Sequence, residues 1–287
     1  IVAKNREGGD SFGSSVAISG KYAIVGVHSD NIYENGQYIT NAGSARIYEK
    51  IDDGSWKEVN ELHAPKKVRT AERVSKVELG FGRSVDIAGN YAVVTTNRGS
   101  MGSVTIFKKG RNEKWEKEPL PLFAGTKDDG RSTGFGASVA ISDNYLIIGE
   151  PLSKPGQARL YERNSAGIWR QVKTLKPSDQ SKGDYFGGSV DVSGNHVIVG
   201  GYTDENYSGA AYIFEKDPSG QWDNGKKIIP IDSKVGQRFG KIVAISGEYA
   251  AITTEGAIYV FKRAIDGNWD QIKKLTPFGQ GEQSSFF

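Results

Sequence analysis

The chain contains no cysteine, so neither a disulfide framework nor a thiolate metal centre is available to it. That absence leaves an extracellular home open, because a large β core needs no covalent staples. Histidine is almost as scarce. His28, His63 and His196 stand in unrelated contexts and do not make a metal cluster, and nothing else in the sequence points to a metal or cofactor. No apolar run approaches the ~20 residues of a membrane-spanning helix. No signal peptide is visible, and Ile1 in place of an initiator methionine reads as a processed or excised segment, so the missing leader says nothing of compartment. Charge of one sign is also lacking. A net +3 spread over 37 basic and 34 acidic residues builds no field that would draw in nucleic acid.

What the chain has in abundance is glycine, with 37 residues against 9 prolines, together with aromatic residues. These are organised by repetition, the property to seek first because missing it misreads the fold. Phe-Gly recurs at Phe12-Gly13, Phe81-Gly82, Phe135-Gly136, Phe186-Gly187 and Phe239-Gly240. Each pair leads an alternating segment (SSVAIS, RSVDIA, ASVAIS, GSVDVS, KIVAIS), a short turn (GKY, GNY, DNY, GNH, GEY) and a second apolar run. A glycine-led segment follows from Gly43, Gly102, Gly156, Gly209 and Gly256. Then comes a tryptophan: Trp56, Trp115, Trp169, Trp222 and Trp269 are all the tryptophans of the chain, one per unit.

Alternation with a period of two predicts strands, and no segment reads as a helix. The first two strands of each unit are apolar enough to lie deep, while the fourth is polar and charged, as an outer edge strand should be. Turns such as Gly20-Lys21 and Asp143-Asn144 suit tight hairpins that need positive φ. One sheet cannot bury both of its faces, so the units must stack, and twisted four-stranded units arranged radially make a propeller. The expectation is an all-β chain, 1–287 forming one β-propeller domain of five blades. The alternative is a part of a six- or seven-bladed ring, because Ile1–Ser11 matches the exit segments Leu175–Tyr185 and Leu275–Ser285, and Phe286-Phe287 falls where another Phe-Gly would begin.

The run Phe-Gly-x-Ser-Val-x-Ile-Ser-Gly-x-Tyr-x-x-Val-Gly, then Gly-x-Ala-x-Ile-Tyr, then Trp, resembles the bacterial FG-GAP repeat, a family distantly similar to the propeller of integrin α-subunits. The resemblance extends over essentially the whole chain. It implies a propeller, and it implies a cell-surface or secreted binding and adhesion module. Integrin-like repeats carry a calcium loop, Asp-x-Asp-x-Asp-Gly, between the first two strands. Here that loop is two residues long, too short for the six to eight oxygen ligands of calcium, so no metal is carried over.

Features outside the repeat are the better pointers to function. The first Phe-Gly pair stands 69 residues from the second (12 to 81), whereas later pairs are 51 to 54 apart. The surplus lies in the loop His28–Ala42 and in the basic stretch Ala64–Leu79, both on the propeller face shared by loops from second to third strands and from blade to blade. The first loop offers His28, Asp30, Asn31, Tyr33, Glu34 and Tyr38, with Gln37 and Asn41 beside them. The matching loop of unit four offers Tyr202, Asp204, Asn206 and Tyr207, with Glu205 among them and a glycosylation sequon at 206–208. Tyrosine with Asn, Asp and Gln is a recognition composition, rigid rings with adaptable hydrogen bonding. A protein or glycan ligand at a cell surface is therefore the expected partner, with a lectin-like or adhesive role. Two alternatives remain open: a structural spacer, and a carbohydrate-active hydrolase or lyase using carboxylates such as Asp86 and Asp191 on the innermost strands. Three further motifs are read as structural. His196 replaces the tyrosine of the other units (Tyr22, Tyr91, Tyr145, Tyr249), His63 is a solvated residue of an outer strand, and Gly130-Arg131-Ser132-Thr133-Gly134 spells a nucleophile elbow without the strand–helix turn that would make it one.

Overall fold

A computed structural model describes residues 1, 9–34, 37–64, 69–70, 73–74, 80–96, 102–119, 122–123, 132–179, 185–203 and 208–276. The chain divides into two compact units, Ile1–Asp143 and Asn144–Phe287. All regular structure among the described residues is β: five antiparallel sheets of four main strands, the strand content of a five-bladed propeller, with a short fifth strand on the second sheet and two small ribbons, Ile32–Glu34 with Gln37–Ile39 and Arg69–Thr70 with Arg73–Val74.

The first sheet runs Phe12–Ser19, Tyr22–Val27, Ser44–Lys50, Trp56–Leu62. The second runs Phe81–Ala88, Tyr91–Thr96, Ser103–Lys109, Trp115–Lys117, with Leu122–Phe123 also pairing its third strand. The third comprises Val139–Ile141, Tyr145–Glu150, Gln157–Arg163 and Trp169–Leu175. The fourth comprises Ser189–Ser193, His196–Gly201, Ala210–Glu215 and Lys226–Ile228, and the fifth Val243–Ser246, Tyr249–Thr254, Ala257–Arg263 and Trp269–Leu275. Two-residue hairpins are set by the pairs Ser19↔Tyr22, Ser193↔His196 and Ser246↔Tyr249. Their positive φ falls on Gly20, Gly194 and Gly247, and also on Gly89 in the second sheet. Asp143 and Asn144 do not share it. With no glycine there, the strand ends earlier, at Ile141. In the fourth sheet the tryptophan leads the outer strand less directly than expected, because Trp222 sits in an isolated bridge with Lys216 and the strand begins at Lys226.

Within each unit, neighbouring sheets dock in three layers. The first is backbone on backbone. A Cβ added to Gly82 would fall inside the Ser44 carbonyl, and one added to Gly43 inside the Phe81 carbonyl. Gly240 and Gly209 stand in the same relation to Ala210 and Phe239. The Phe81 amide donates to the Ala42 carbonyl (3.1 Å) and that of Phe239 to Ser208 (2.9 Å). Glycine is required because two chains approach with no room for a side chain, and because Gly82 and Gly240 hold φ near +90°.

The second layer latches first strands together. Side-chain acceptors of one sheet take backbone N–H groups of the next: Ser15 from Val85 (3.0 Å), Ser84 from Val139 (3.2 Å), Asp86 from Ile141 (2.6 Å). In the second unit Ser189 takes Val243 (3.1 Å), Asp191 takes Ile245 (2.7 Å) and Ser193 takes Gly247 (3.1 Å). These bonds satisfy donors that no strand neighbour reaches.

The third layer is apolar and capped by an aromatic–ionic clasp. Tyr22, Ile24, Ala45, Ile47 and Leu62 of the first sheet pack on Val85, Ile87, Ala92, Val94, Phe107 and Trp115 of the second. Trp115 meets Tyr22 edge-on at 5.7 Å while Lys109 donates to the Tyr22 hydroxyl (2.6 Å). Trp222 and Lys216 repeat this on Tyr145, with Lys216 also reaching Glu162 (2.9 Å). Between the fourth and fifth sheets His196 takes the tyrosine's place against Trp269, and Glu215 receives Arg263 through both oxygens together with the Trp269 indole N–H (2.9 Å). The tryptophan therefore pins its hairpin to the preceding sheet, and His196 is structural.

Two outcomes test this layering. Gly82→Ala should cost roughly 2–4 kcal/mol, from left-handed backbone plus overpacking, whereas Gly13→Ala, equally left-handed but with open space around it, should cost only about 1–2 kcal/mol in urea titrations. Burial by itself would raise the Glu215 pKa, but Arg263, Trp269 and Lys226 outweigh it and hold the carboxyl below its usual range. A depressed carboxylate stabilises the fold above its unfolded pKa and loses that contribution as pH falls through the folded one. Glu215→Gln should thus cost about 1–2 kcal/mol at neutral pH, and the deficit should fade in acid unfolding titrations.

Candidate functional site

The recognition face expected from sequence is where second strands end and first strands begin. At every entry to a sheet the residue before Phe-Gly has positive φ: Ser11 (60°), Gly80 (80°), Gly134 (75°), Tyr185 (49°) and Arg238 (52°). Two of these are glycine, which takes the conformation freely. For Tyr185 and Arg238 it is a local strain that the surrounding structure holds in place, a pattern concentrated at functional positions.

In the second unit that strain assembles a cluster. Tyr202 follows the second strand of the fourth sheet, and its ring lies 5.2 Å from that of Tyr185, tilted by 38°. Burial pushes the Tyr202 hydroxyl pKa up, Tyr185 adds to this and Arg238 opposes it, which sets the guanidinium within electrostatic reach of the ring pair. Arg238 in turn donates to Glu255 (2.7 Å), the residue after the second strand of the fifth sheet. Gly188 leaves the space that the Tyr202 ring occupies. The result is two half-exposed aromatic rings beside a half-exposed ion pair. Sequence reading found Tyr202. It missed Tyr185, Arg238 and Glu255, which look like linker residues beside Phe-Gly; the signal available was a large side chain at a position where two other units carry glycine. Asp204, Asn206 and Tyr207, with Glu205, lie outside the described residues, and so does the sequon except for Ser208.

In the first unit the long loop contains a small ribbon, Ile32–Glu34 paired with Gln37–Ile39. Its base is anchored. Asp30 accepts from the Ser44 hydroxyl (2.5 Å) and lies 3.6 Å from the buried Arg46 guanidinium, which also faces Glu58 and Glu61. Asn31 accepts the amide of Asn41 (2.9 Å), whose own φ is 53°. His28 pairs through Nδ1 with the Ser14 hydroxyl (2.9 Å). Asp30, Asn31 and His28 thus hold the loop, and Tyr33, 75% exposed, is what it presents. The side chains of Glu34 and Tyr38 and most of the basic stretch 64–79 lie outside the described residues. An equivalent buried pair stands in the third sheet, where Arg159 and Gln157 hold the fully buried Glu150.

The carboxylates considered for catalysis have structural work. Asp86 accepts backbone N–H groups from Ile87 and Ile141, and Asp191 from Val192 and Ile245. Burial raises the Asp191 pKa against the two amides that favour its charged form. Ser132 accepts the Gly134 amide (3.1 Å) in an irregular segment leading to Phe135-Gly136, with no helix after it. His63 is exposed just beyond the outer strand of the first sheet. Among the described residues no group of three or more His, Asp or Glu side chains is placed to hold a metal ion, and no helix is long and apolar enough to cross a membrane.

Comparison with known proteins agrees with the fold. The FG-GAP repeat family matches two stretches, residues 1–48 and 169–214, and so extends over part of the chain. No curated protein matches the sequence. A Lactobacillus plantarum protein superposes with a TM-score of 0.57 at 13% identity, over 92% of this chain and 70% of its own. Hsv2 of Kluyveromyces lactis gives 0.54 at 11%, over 93% and 63%, so the chain spans under two thirds of that structure. A 6-phosphogluconolactonase-like protein of Bacteroides fragilis gives 0.54 at 13%, over 92% and 84%. At such identities the likeness is one of fold.

Proposed function

We propose that the protein is a binding module, secreted or displayed at a cell surface, that recognises its ligand through the face bearing the loops between second and third strands. The observation that carries this reading is the Tyr185–Tyr202 ring pair beside the Arg238–Glu255 ion pair. Exposed aromatic faces supply contact area at low entropic cost, and the ion pair supplies donors and acceptors that hydroxyl groups can use. Of the two expected ligand classes, protein and glycan, this combination of ring face and charged hydrogen-bonding groups favours a glycan. The FG-GAP match supports the adhesive setting, and the structural duties of Asp86 and Asp191 weigh against the hydrolytic alternative.

The test is a glycan-array screen of the purified protein. Selective binding should disappear in Tyr202→Ala and in Tyr185→Gly. The second variant is the sharper one, because glycine takes the left-handed backbone at position 185 without strain and the fold should be retained by circular dichroism. A blank array, or binding indifferent to both changes, would remove the glycan reading and leave pull-down from a cell surface as the next measurement.

A further inference from the structure

The outer strands of the first, third and fifth sheets share one irregularity, an extra residue at the same distance from the tryptophan. It is Val59, Val172 or Ile272. Pairing skips it between Ile47↔Asn60 and Tyr48↔Glu58, between Leu160↔Lys173 and Tyr161↔Gln171, and between Val260↔Lys273 and Phe261↔Gln271. Counted from Trp222, the same place in the fourth sheet is Gly225, and Asn224 precedes it. Pairing lapses there between Lys216↔Trp222 and Ile213↔Lys226. Gly225 has φ 81°, and a Cβ on it would stand 2.5 Å from the Phe214 ring, so a bulge that elsewhere takes a β-branched residue takes only glycine here.

The bulge is tied down on both sides. Lys173 of the third sheet donates to the carbonyls of Trp222 and Asp223 (2.6 Å each), and Lys226 to that of Gly267 (2.6 Å). Asp223 accepts the amides of Glu215 (3.1 Å) and Gly225 (2.9 Å) through one carboxylate oxygen. Asn224 is exposed, and its side chain takes no part in these bonds. Other asparagines are held. Asn164 accepts the amides of Ala166 and Ile168, and Asn268 donates to Asp266 (2.8 Å).

We propose that Asn224 is a self-modifying site, converted to aspartate and isoaspartate through a cyclic imide. That chemistry needs an asparagine side chain free to turn back, a following residue with no Cβ in the way, and a base at the attacking amide. Asn224, Gly225 and Asp223 supply these in turn, the last within hydrogen-bond reach of the proton it must take. The Gly225 nitrogen bonds to the side-chain carbonyl carbon of Asn224. Its proton passes through Asp223 to the side-chain nitrogen, which leaves as ammonia. Water then opens the imide at either carbonyl, so the net change consumes water, releases ammonia and needs no oxidant. Opening at the main-chain carbonyl gives isoaspartate and adds a carbon to the main chain between the Lys173 and Lys226 ties. The longer chain draws Gly225 away from Phe214 and Asp223, and the start of the outer strand is loosened.

Peptide mapping of the folded, full-length chain held in warm, mildly alkaline buffer reads this directly. The peptide carrying Asn224 should gain mass by exchange of NH2 for OH and resolve into aspartyl and isoaspartyl forms, ahead of the peptides carrying Asn164 and Asn268. Asn35-Gly36, the other such dipeptide of the chain, lies outside the described residues and is read on its own peptide. Asn224→Gln should fold as the parent does by circular dichroism and stay unmodified at that position. Asp223→Asn keeps an oxygen for both amides but no base, and should slow conversion at least about tenfold. The isoaspartyl form should unfold at lower urea than Asn224→Asp, which has the same charge and an unaltered main chain. Conversion of Asn164 or Asn268 before Asn224, or a rate at Asn224 that Asp223→Asn leaves unchanged, would overturn the proposal. The readout needs no ligand, so it stands apart from the glycan-array test.

Discussion

The contact on which the architecture turns is a place where no side chain fits. At each junction within a unit, a glycine that opens a third strand lies against the carbonyl of an incoming phenylalanine, and at Gly82, Gly187 and Gly240 the glycine after that phenylalanine lies against the third strand in return. Backbone meets backbone at the closest packing a protein permits, and the phenylalanine ring is carried into the core by the same approach. Everything further out follows from that fixed distance. The serine and aspartate latches can span from first strand to first strand because the strands start level. The apolar faces meet in buried clusters. The tryptophan of one sheet arrives over the tyrosine or histidine of the one before.

This explains why so much of the fold was readable in the sequence. A constraint imposed at every junction is written once per unit, so Phe-Gly, the glycine-led third strand and the single tryptophan each recur five times and stand out from noise. Departures are readable for the same reason. His196 interrupts a column of tyrosines and packs as one. The start of the fourth sheet's outer strand was not readable, since Trp222 stands in an isolated bridge and the strand begins only at Lys226.

The candidate site was legible only in part, for the opposite reason. Candidate recognition residues occur once. Tyr202 could be picked out by composition, but Tyr185 and Arg238 acquire meaning only when a left-handed backbone directs them toward Tyr202 and Glu255. Asp30 and Asn31 carry a second, structural role that composition does not show. Their residue types suit ligand contact, yet their oxygens are engaged by Ser44 and by the Asn41 amide, and they serve to hold the loop that displays Tyr33.

The latches also have a direction. In every such pair the accepting serine or aspartate belongs to the earlier sheet and the donating amide to the later one, as in Ser15 with Val85 and Asp191 with Ile245. The clasp obeys the same order, Tyr22 preceding Lys109 and Tyr145 preceding Lys216. A chain leaving the ribosome amino end first therefore completes each receiving surface before the segment that will settle on it has been translated. Assembly can keep pace with synthesis, each new sheet being laid on a finished one, and no sheet has to wait for distant sequence before it is useful as a template.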